Sequence, residues 1–261
     1  MAEGFKMELD LSESYELRMY YSRLYAPHLA SVFKHLLKPG DTVIDGGANI
    51  GYFSLLAANY VGEHGCVHSF EPIPETFATL NKNIGLNGFT NIHTNRLALM
   101  QSKGELCFEI PIDTHTSNLL GRLATVALLG RGPQVTVPAT TLDEYGEHLG
   151  INTIKLVKLD VEGSETAAIA GMRRMLFEHR IAYLICELST ILLDRMGISD
   201  TTMQEALSEH GYSCYLIKCD GAWIGMEPVD LVAISLKDPL PVHGDYLFAA
   251  PGMIIPSTII T

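Results

Sequence analysis

The sequence predicts an α/β fold: a doubly wound, mostly parallel sheet of seven strands, helices on both faces, and an antiparallel hairpin at one edge. Three observations carry this. Short apolar runs alternate with helical stretches from Asp41 onward. The first run ends in an acid and a loop of small residues, Asp45-Gly46-Gly47-Ala48-Asn49-Ile50-Gly51, then enters a helix. Strand, glycine-rich turn and helix form the first unit of a nucleotide-binding sheet. The last two runs, 212–218 and 229–235, have only a short link between them and read as the hairpin.

Residues 12–38 read as helical, with Tyr15, Tyr20, Tyr21 and Tyr25 among the leucines, and Pro27 splits the stretch in two. Pro39-Gly40 ends the second helix. Strand-like runs follow at 42–45, 66–71, 91–98, 154–160, 181–187, 212–218 and 229–235, with helices at 51–61, 75–86, 165–178 and 201–210. In the first helix after the loop, Phe53, Leu56, Ala57 and Tyr60 make the apolar stripe. The interval 99–140 breaks the alternation. It holds strands at Glu105–Ile110 and Gln134–Pro138 around a polar loop at 113–118, as expected of an insertion that shapes a substrate pocket. The apolar, proline-containing tail after Ser235 reads as an extended arm packed on the domain or on a second subunit.

With 261 residues, 47% of them hydrophobic, the chain can bury one large core. No run approaches the length of a membrane span, and the polar N-terminus lacks a signal-peptide core, so a cytoplasmic protein is expected. The cysteines, Cys66, Cys107, Cys186, Cys214 and Cys219, are odd in number and form no CxxC pair. They read as buried free thiols, although Cys214 and Cys219 could meet in space. A net charge of −12 with no dense basic run argues against a long nucleic acid as partner and favours a neutral or cationic small molecule.

The loop acid selects the ligand. A phosphate-binding loop attracts anions through helix N-terminal N–H groups, and Asp45 at its mouth would repel a pyrophosphate. A sulfonium such as that of S-adenosylmethionine suits the loop better. A dinucleotide fingerprint would also need glycine where Ala48 stands. Asn49 can take a left-handed conformation or cap the next helix. The second run ends in Phe70-Glu71-Pro72, with Glu71 26 residues after Asp45. A carboxylate there can accept both hydroxyls of a ribose, and Pro72 stiffens the turn. The third motif runs from Lys158 to Glu165. Asp160 and Glu162 are expected at the carboxyl end of the sheet, where open α/β folds bind ligands, with Ser164 as helix N-cap and Glu165 as a dipole-stabilising acid.

Together these motifs resemble the FkbM family of S-adenosylmethionine-dependent methyltransferases. Asp45 to Gly51, Phe70-Glu71-Pro72, Lys158 to Glu165 and the helix through Gly171 carry the resemblance, supported by Asn81, Asn83, Ala98-Leu99 and Thr141-Leu142-Asp143. It implies a Rossmann-like class I methyltransferase domain over 39–250, a helical cap at 1–38 and a tail at 251–261. S-adenosyl-L-methionine would be the cofactor, held by Asp45, Gly46, Gly47, Ala48, Asn49, Gly51, Glu71, Pro72, Ala98, Asp160 and Glu162. Leu99 would lie beside the adenine, with Asn95 or Arg96 assisting. The reaction implied is methylation of a hydroxyl, or of a nitrogen, on a natural product or sugar. A protein or RNA acceptor, a nicotinamide oxidoreductase and a non-catalytic binding protein stay open as alternatives, as does self-association.

A hydroxyl acceptor must lose a proton, so a base within reach is expected. The candidates are Asp160, Glu162, Glu187 at the end of an apolar strand, and His115 in the polar loop. The same acids could hold a hard cation, but no metal is expected, and His64 and His68 are not spaced as ligands on one helix. The four tyrosines of the N-terminal helices either pack an amphipathic face or form a lid over the acceptor.

Overall fold

The computed structural model describes residues 1–109, 122–123, 134–188, 202–218, 230–235 and 244–256. Its elements are, in chain order, α1 (Ser14–Ser22), α2 (Pro27–Leu36), β1 (Thr42–Gly46), α3 (Tyr52–Val61), β2 (Cys66–Phe70), α4 (Pro74–Gly85), β3 (Ile92–Asn95), β4 (Ala98–Leu99), β5 (Gly104–Glu109), β6 (Arg122–Leu123), β7 (Gln134–Thr140) and α5 (Leu142–Leu149). There follow β8 (Ile154–Leu159), α6 (Glu165–Ala170), α7 (Arg173–Phe177), β9 (Ile181–Leu188), α8 (Thr202–Ser208), β10 (Ser213–Lys218), β11 (Asp230–Ile234) and β12 (Gly244–Ala249).

The main sheet has the order β11-β10-β12-β9-β8-β1-β2-β3. Strands β9, β8, β1, β2 and β3 run parallel to one another, and β12, β10 and β11 each pair antiparallel with the strand before them in the order outward from β9. One face packs on α2 and α3 through Phe33, Leu55, Leu56 and Val67. The opposite face packs on α5 to α8 through Ile44, Leu142, Ile169, Met175 and Leu207. The α/β class and the doubly wound plan are therefore as the alternation predicts.

Five details differ. The main sheet holds eight strands, not seven, because the expected arm contains β12. Its run Tyr246-Leu247-Phe248-Ala249 is buried on both faces, as a central strand must be. The hairpin of β10 and β11 pairs as expected, but β12 stands between it and the parallel strands. The run 91–98 divides: β3 stays at the edge of the main sheet, whereas β4 joins a second sheet of order β4-β7-β5-β6. This second sheet is what the insertion builds, over a small core of Ile73, Met100, Phe108 and Val137. The helix at 165–178 breaks into α6 and α7 at Gly171, where a Cβ would sit 2.0 Å from the Met100 carbonyl oxygen. Helix α5 was not anticipated. Its Thr141 cap accepts the Glu144 N–H at 3.0 Å and its Gly150 stop is left-handed.

The N-terminal residues are tied to the domain. Pro27 opens α2, as the sequence requires. Lys6 and Glu8 donate backbone N–H groups to the side chains of Asn87, just past α4, and of Asn83 within it. Phe5 packs edge-on against Tyr52, whose hydroxyl donates to Glu3. Among the described residues, no helix is long and apolar enough to cross a membrane. Cys66 and Cys107 are half-buried rather than buried, Cys186 and Cys214 are buried, and all four are free thiols. Cys219 lies outside the described residues.

Candidate functional site

Three loops meet at the carboxyl ends of β1, β2 and β8, where strand order reverses about β1. Backbone bonds join them. Gly47 and Ala48 donate N–H groups to the Phe70 carbonyl at 3.0 and 2.9 Å, and Asp160 donates to Gly46 at 3.1 Å. Gly47 has φ 72°, and a Cβ there would lie 1.8 Å from the Asp160 carbonyl oxygen, so only glycine fits. Asn49 is left-handed at φ 49°, and so is Glu162 in the facing loop at φ 54°. Asn49 does not cap α3; Gly51 occupies that position at φ 100°.

A cleft of about 600 Å³ opens between these loops and the second sheet. Gly47, Asn49, Glu71, Asp160, Glu162 and Ser164 form its polar side. Pro72, Ile73, Leu97, Ala98, Met100 and Phe108 form an apolar wall. Glu71 sits at the junction. One oxygen accepts the Asn49 N–H at 3.0 Å and the other accepts the Ile73 N–H at 2.9 Å. A carboxylate has about four lone-pair sites, so two remain for a ligand diol. Burial pushes the Glu71 carboxyl up to about 7 against the pull of those two N–H groups. The Asn49 side-chain oxygen and the Ser164 hydroxyl are buried without a hydrogen-bond partner. Such orphans are costly unless a ligand completes them.

Asp45 is not where the sequence placed it. Its side chain is shut off from solvent, accepts the Ser54 hydroxyl at 2.6 Å, and lies 3.5 Å from the Lys158 ammonium. The strand alternation explains this: Asp45 and Lys158 are register partners on β1 and β8. Lys158 also lies 3.4 Å from Asp160, donates to the Gly47 carbonyl at 3.2 Å, and rests 5.0 Å above the Phe53 ring. Burial opposes its charge, but Asp160 and Asp45 outweigh burial and hold it above the usual lysine range. The acid that faces the cleft is Asp160, whose side chain is 28% exposed. Glu165 accepts the N–H groups of Val161 and Gly163 at 3.0 and 3.2 Å, which makes it a brace for the loop. Ser164 holds the N-cap position, yet its hydroxyl makes no cap bond.

Behind Asp160 stands a row of ionisable groups. Burial first, then Asp160, then Asp245, raise the Glu187 carboxyl well above the ordinary glutamate range; it is also hydrogen-bonded to Asp160. Asp245 on β12 is the cross-strand partner of Glu187. Asp245 meets His28 of α2 at 2.8 Å. A second, smaller cleft of about 310 Å³ shares Gly47, Asn49 and Asp160 with the first and is walled by Tyr15, Tyr25, Tyr52 and Phe53.

Of the sequence candidates, Gly47, Asn49, Glu71, Pro72, Ala98, Asp160 and Glu162 come together on the first cleft. Ala48 lines the second cleft instead. Gly46 and Gly51 support the loop from behind, since a Cβ would strike Leu159 at one and Leu80 at the other. Asn95 is spent on the Ser69 carbonyl and the Tyr145 hydroxyl, and neither it nor Arg96 lines the cleft. His115 lies outside the described residues. Tyr20 and Tyr21 are exposed and pack on each other, so they form no lid. The His68 ring bonds the Tyr145 hydroxyl at 2.8 Å. Among the described residues, no group of three His, Cys, Asp or Glu could hold a metal ion. Sequence reading missed the structural weight of Lys158 and the cleft walls Met100 and Phe108. A lysine inside the apolar run Ile154–Leu159, two residues before an acid, was the available signal for the first.

A family model described as "Methyltransferase FkbM domain" matches residues 45–214. Methyltransferase 1 of Beauveria bassiana is 24% identical over 51% of this chain and 59% of its own length. The 31-O-demethyl-FK506 methyltransferase FkbM of Streptomyces tacrolimicus is 29% identical over 52% of this chain and 61% of its own. The hexuronic acid methyltransferase AglP of Haloferax volcanii is 27% identical over 68% and 66%. The chain thus spans less than two thirds of the length of these relatives. A solved SAM-dependent methyltransferase from Aquifex aeolicus overlays 92% of this chain and 94% of its own, with 14% identity and a TM-score of 0.45.

Proposed function

The chain belongs to the FkbM methyltransferase family, and on that premise we propose that it moves a methyl group from S-adenosyl-L-methionine to a hydroxyl of a small molecule. One observation carries the reading: Glu71, with two lone pairs left open at the junction of a polar loop cluster and an apolar wall. A ribose diol meets that carboxylate, and a flat base suits the wall of Ile73, Ala98, Met100 and Phe108. The orphaned Asn49 oxygen and Ser164 hydroxyl suit the ligand's polar groups. The described residues lining this cleft include no lysine or arginine, and Lys158 is committed to two carboxylates. A pyrophosphate therefore finds no counter-charge, which speaks against a nicotinamide dinucleotide.

The cofactor, when bound, supplies the electrophilic methyl group. The chain's residues bind, orient and take up a proton. Gly47 lets the backbone approach closely, and Glu71 fixes the nucleoside end. Asp160, common to both clefts, is the group placed to receive the acceptor's proton. The second cleft, with Tyr15, Tyr25 and Tyr52, is the acceptor's side of the site. FkbM of Streptomyces tacrolimicus and AglP carry names that point to 31-O-demethyl-FK506 and a hexuronic acid, which supports a hydroxylated small molecule here.

Calorimetric titration with S-adenosylhomocysteine and NAD⁺ tests the cofactor. Binding of the first and not the second is expected; the reverse sinks the proposal. Transfer of isotopically labelled methyl to a panel of hydroxylated sugars, uronic acids and macrolides then identifies the acceptor class.

A further inference from the structure

Asp245 and Glu187 stand directly opposite each other on antiparallel strands, a placement that two ionised carboxylates disfavour. The β8–β9 register sets Leu159 beside Cys186, so the next residues, Asp160 and Glu187, lie side by side, and a hydrogen bond between two carboxyl groups needs a proton on one of them. Among the described residues, the groups facing Glu187 are Asp160 and Glu162 from the loop after β8, Asp245 from β12, and Lys158 and Tyr25 close by. His28 partners Asp245 on its other side. Among the described residues, Lys158 brings positive charge to this row, and it already lies between Asp45 and Asp160. The row opens onto the cofactor cleft through Asp160, beside the orphaned Ser164 hydroxyl, which is 2% exposed.

We propose that Glu187 holds a proton against Asp160 in the resting site, releases it when a sulfonium binds beside Asp160, and regains it from the acceptor hydroxyl during transfer. The inference rests on the methyltransferase reading and deepens it. A nearby cation favours the doubly ionised pair, and a neutral ligand of the same shape does not. The step balances. The acceptor O–H bond breaks and its proton goes to the carboxylate pair; an oxygen–methyl bond forms as the carbon–sulfur bond breaks. The sulfur leaves as a neutral thioether. Loss of the sulfonium charge and reprotonation of the pair thus occur together, and the product-bound site returns to the resting protonation. Burial raises the proton affinity of Glu187, which suits it to keep that proton once the cation is gone.

The test is proton linkage, not turnover. Heats of binding for S-adenosylmethionine and S-adenosylhomocysteine are measured at pH 7.5 in two buffers of different ionisation enthalpy. The sulfonium ligand is expected to release about one proton more than the thioether. Glu187→Gln is expected to bind both ligands and to lose the excess. Equal proton release by the two ligands with the wild-type chain overturns the inference, whatever the variant does. Failure of both ligands to bind overturns instead the reading on which it rests. Should Glu187→Gln not fold, Asp245→Asn serves: removing the opposing charge lowers the resting proton affinity of Glu187 and is expected to shrink the excess.

Discussion

The Lys158 ammonium lies 3.5 Å from Asp45 although neither side chain exceeds 3% exposure. A buried pair of this kind adds little over an apolar pair, but breaking it leaves a bare charge in the core. Lys158→Met is therefore expected to destabilise the fold by about 3 kcal/mol. Asp45→Asn in the same chain should return part of that loss. Urea denaturation of the two single variants and the double variant measures the coupling; simple additivity would mean the pair does not act as one.

Glu71 gives the site a pH dependence. Burial raises its carboxyl to about 7, so below that pH it is protonated and offers a ribose one acceptor fewer. S-adenosylhomocysteine affinity is expected to rise about tenfold from pH 6 to pH 8. The sign for stability is opposite. A carboxyl whose folded value lies above its unfolded one stabilises the fold at low pH and loses that contribution as pH passes about 7. Glu71→Gln should flatten the affinity profile and weaken binding roughly tenfold or more at pH 8. An unchanged profile in the variant would assign the titration elsewhere.

Gly47 and Gly62 separate backbone strain from collision. Both have positive φ, 72° and 63°, but a Cβ at Gly62 meets nothing within 4 Å. Gly62→Ala should cost about 1 kcal/mol. Gly47→Ala must also displace the Asp160 carbonyl, and is expected to cost about 3 kcal/mol and abolish cofactor binding. Thermal melts with and without S-adenosylhomocysteine distinguish the two; equal shifts would remove the close approach from the explanation.

Tyr25 and Tyr21 lie close in sequence, but Tyr25 lines the second cleft and Tyr21 is 78% exposed. Tyr25→Ala is expected to raise the acceptor KM about tenfold or more while leaving cofactor affinity within about twofold. Tyr21→Ala should change neither. Once the acceptor is known, steady-state kinetics on both variants decide whether that cleft is the acceptor's.

The parallel strands and the cofactor acids were legible because each rests on a local pattern: an apolar run, then Asp45, Glu71 or Asp160 at its end. Strand pairing over long separations was not. Tyr246-Leu247-Phe248-Ala249 looks like a strand, but nothing near it says that it enters between β9 and β10. Asp245 therefore escaped notice as a neighbour of Glu187. The departure of β4 from the main sheet is likewise decided at a distance, by β7. Asp45 was found but misplaced. An acid at a strand end reads as facing a ligand, and only the β1–β8 register shows Lys158 waiting beside it.

Strand β12 also governs when the molecule can be completed. During synthesis, β1, β2, β3, β8 and β9 emerge well before residue 244, and β10 and β11 emerge with their natural neighbour still missing. The hairpin cannot dock on β9 until β12 arrives to lie between them. The slow, long-range pairing thus follows that of the parallel strands, and Asp245 arrives with it. A nascent chain therefore owns the cofactor loops early but completes its acid row only after residues 244–249 have left the ribosome.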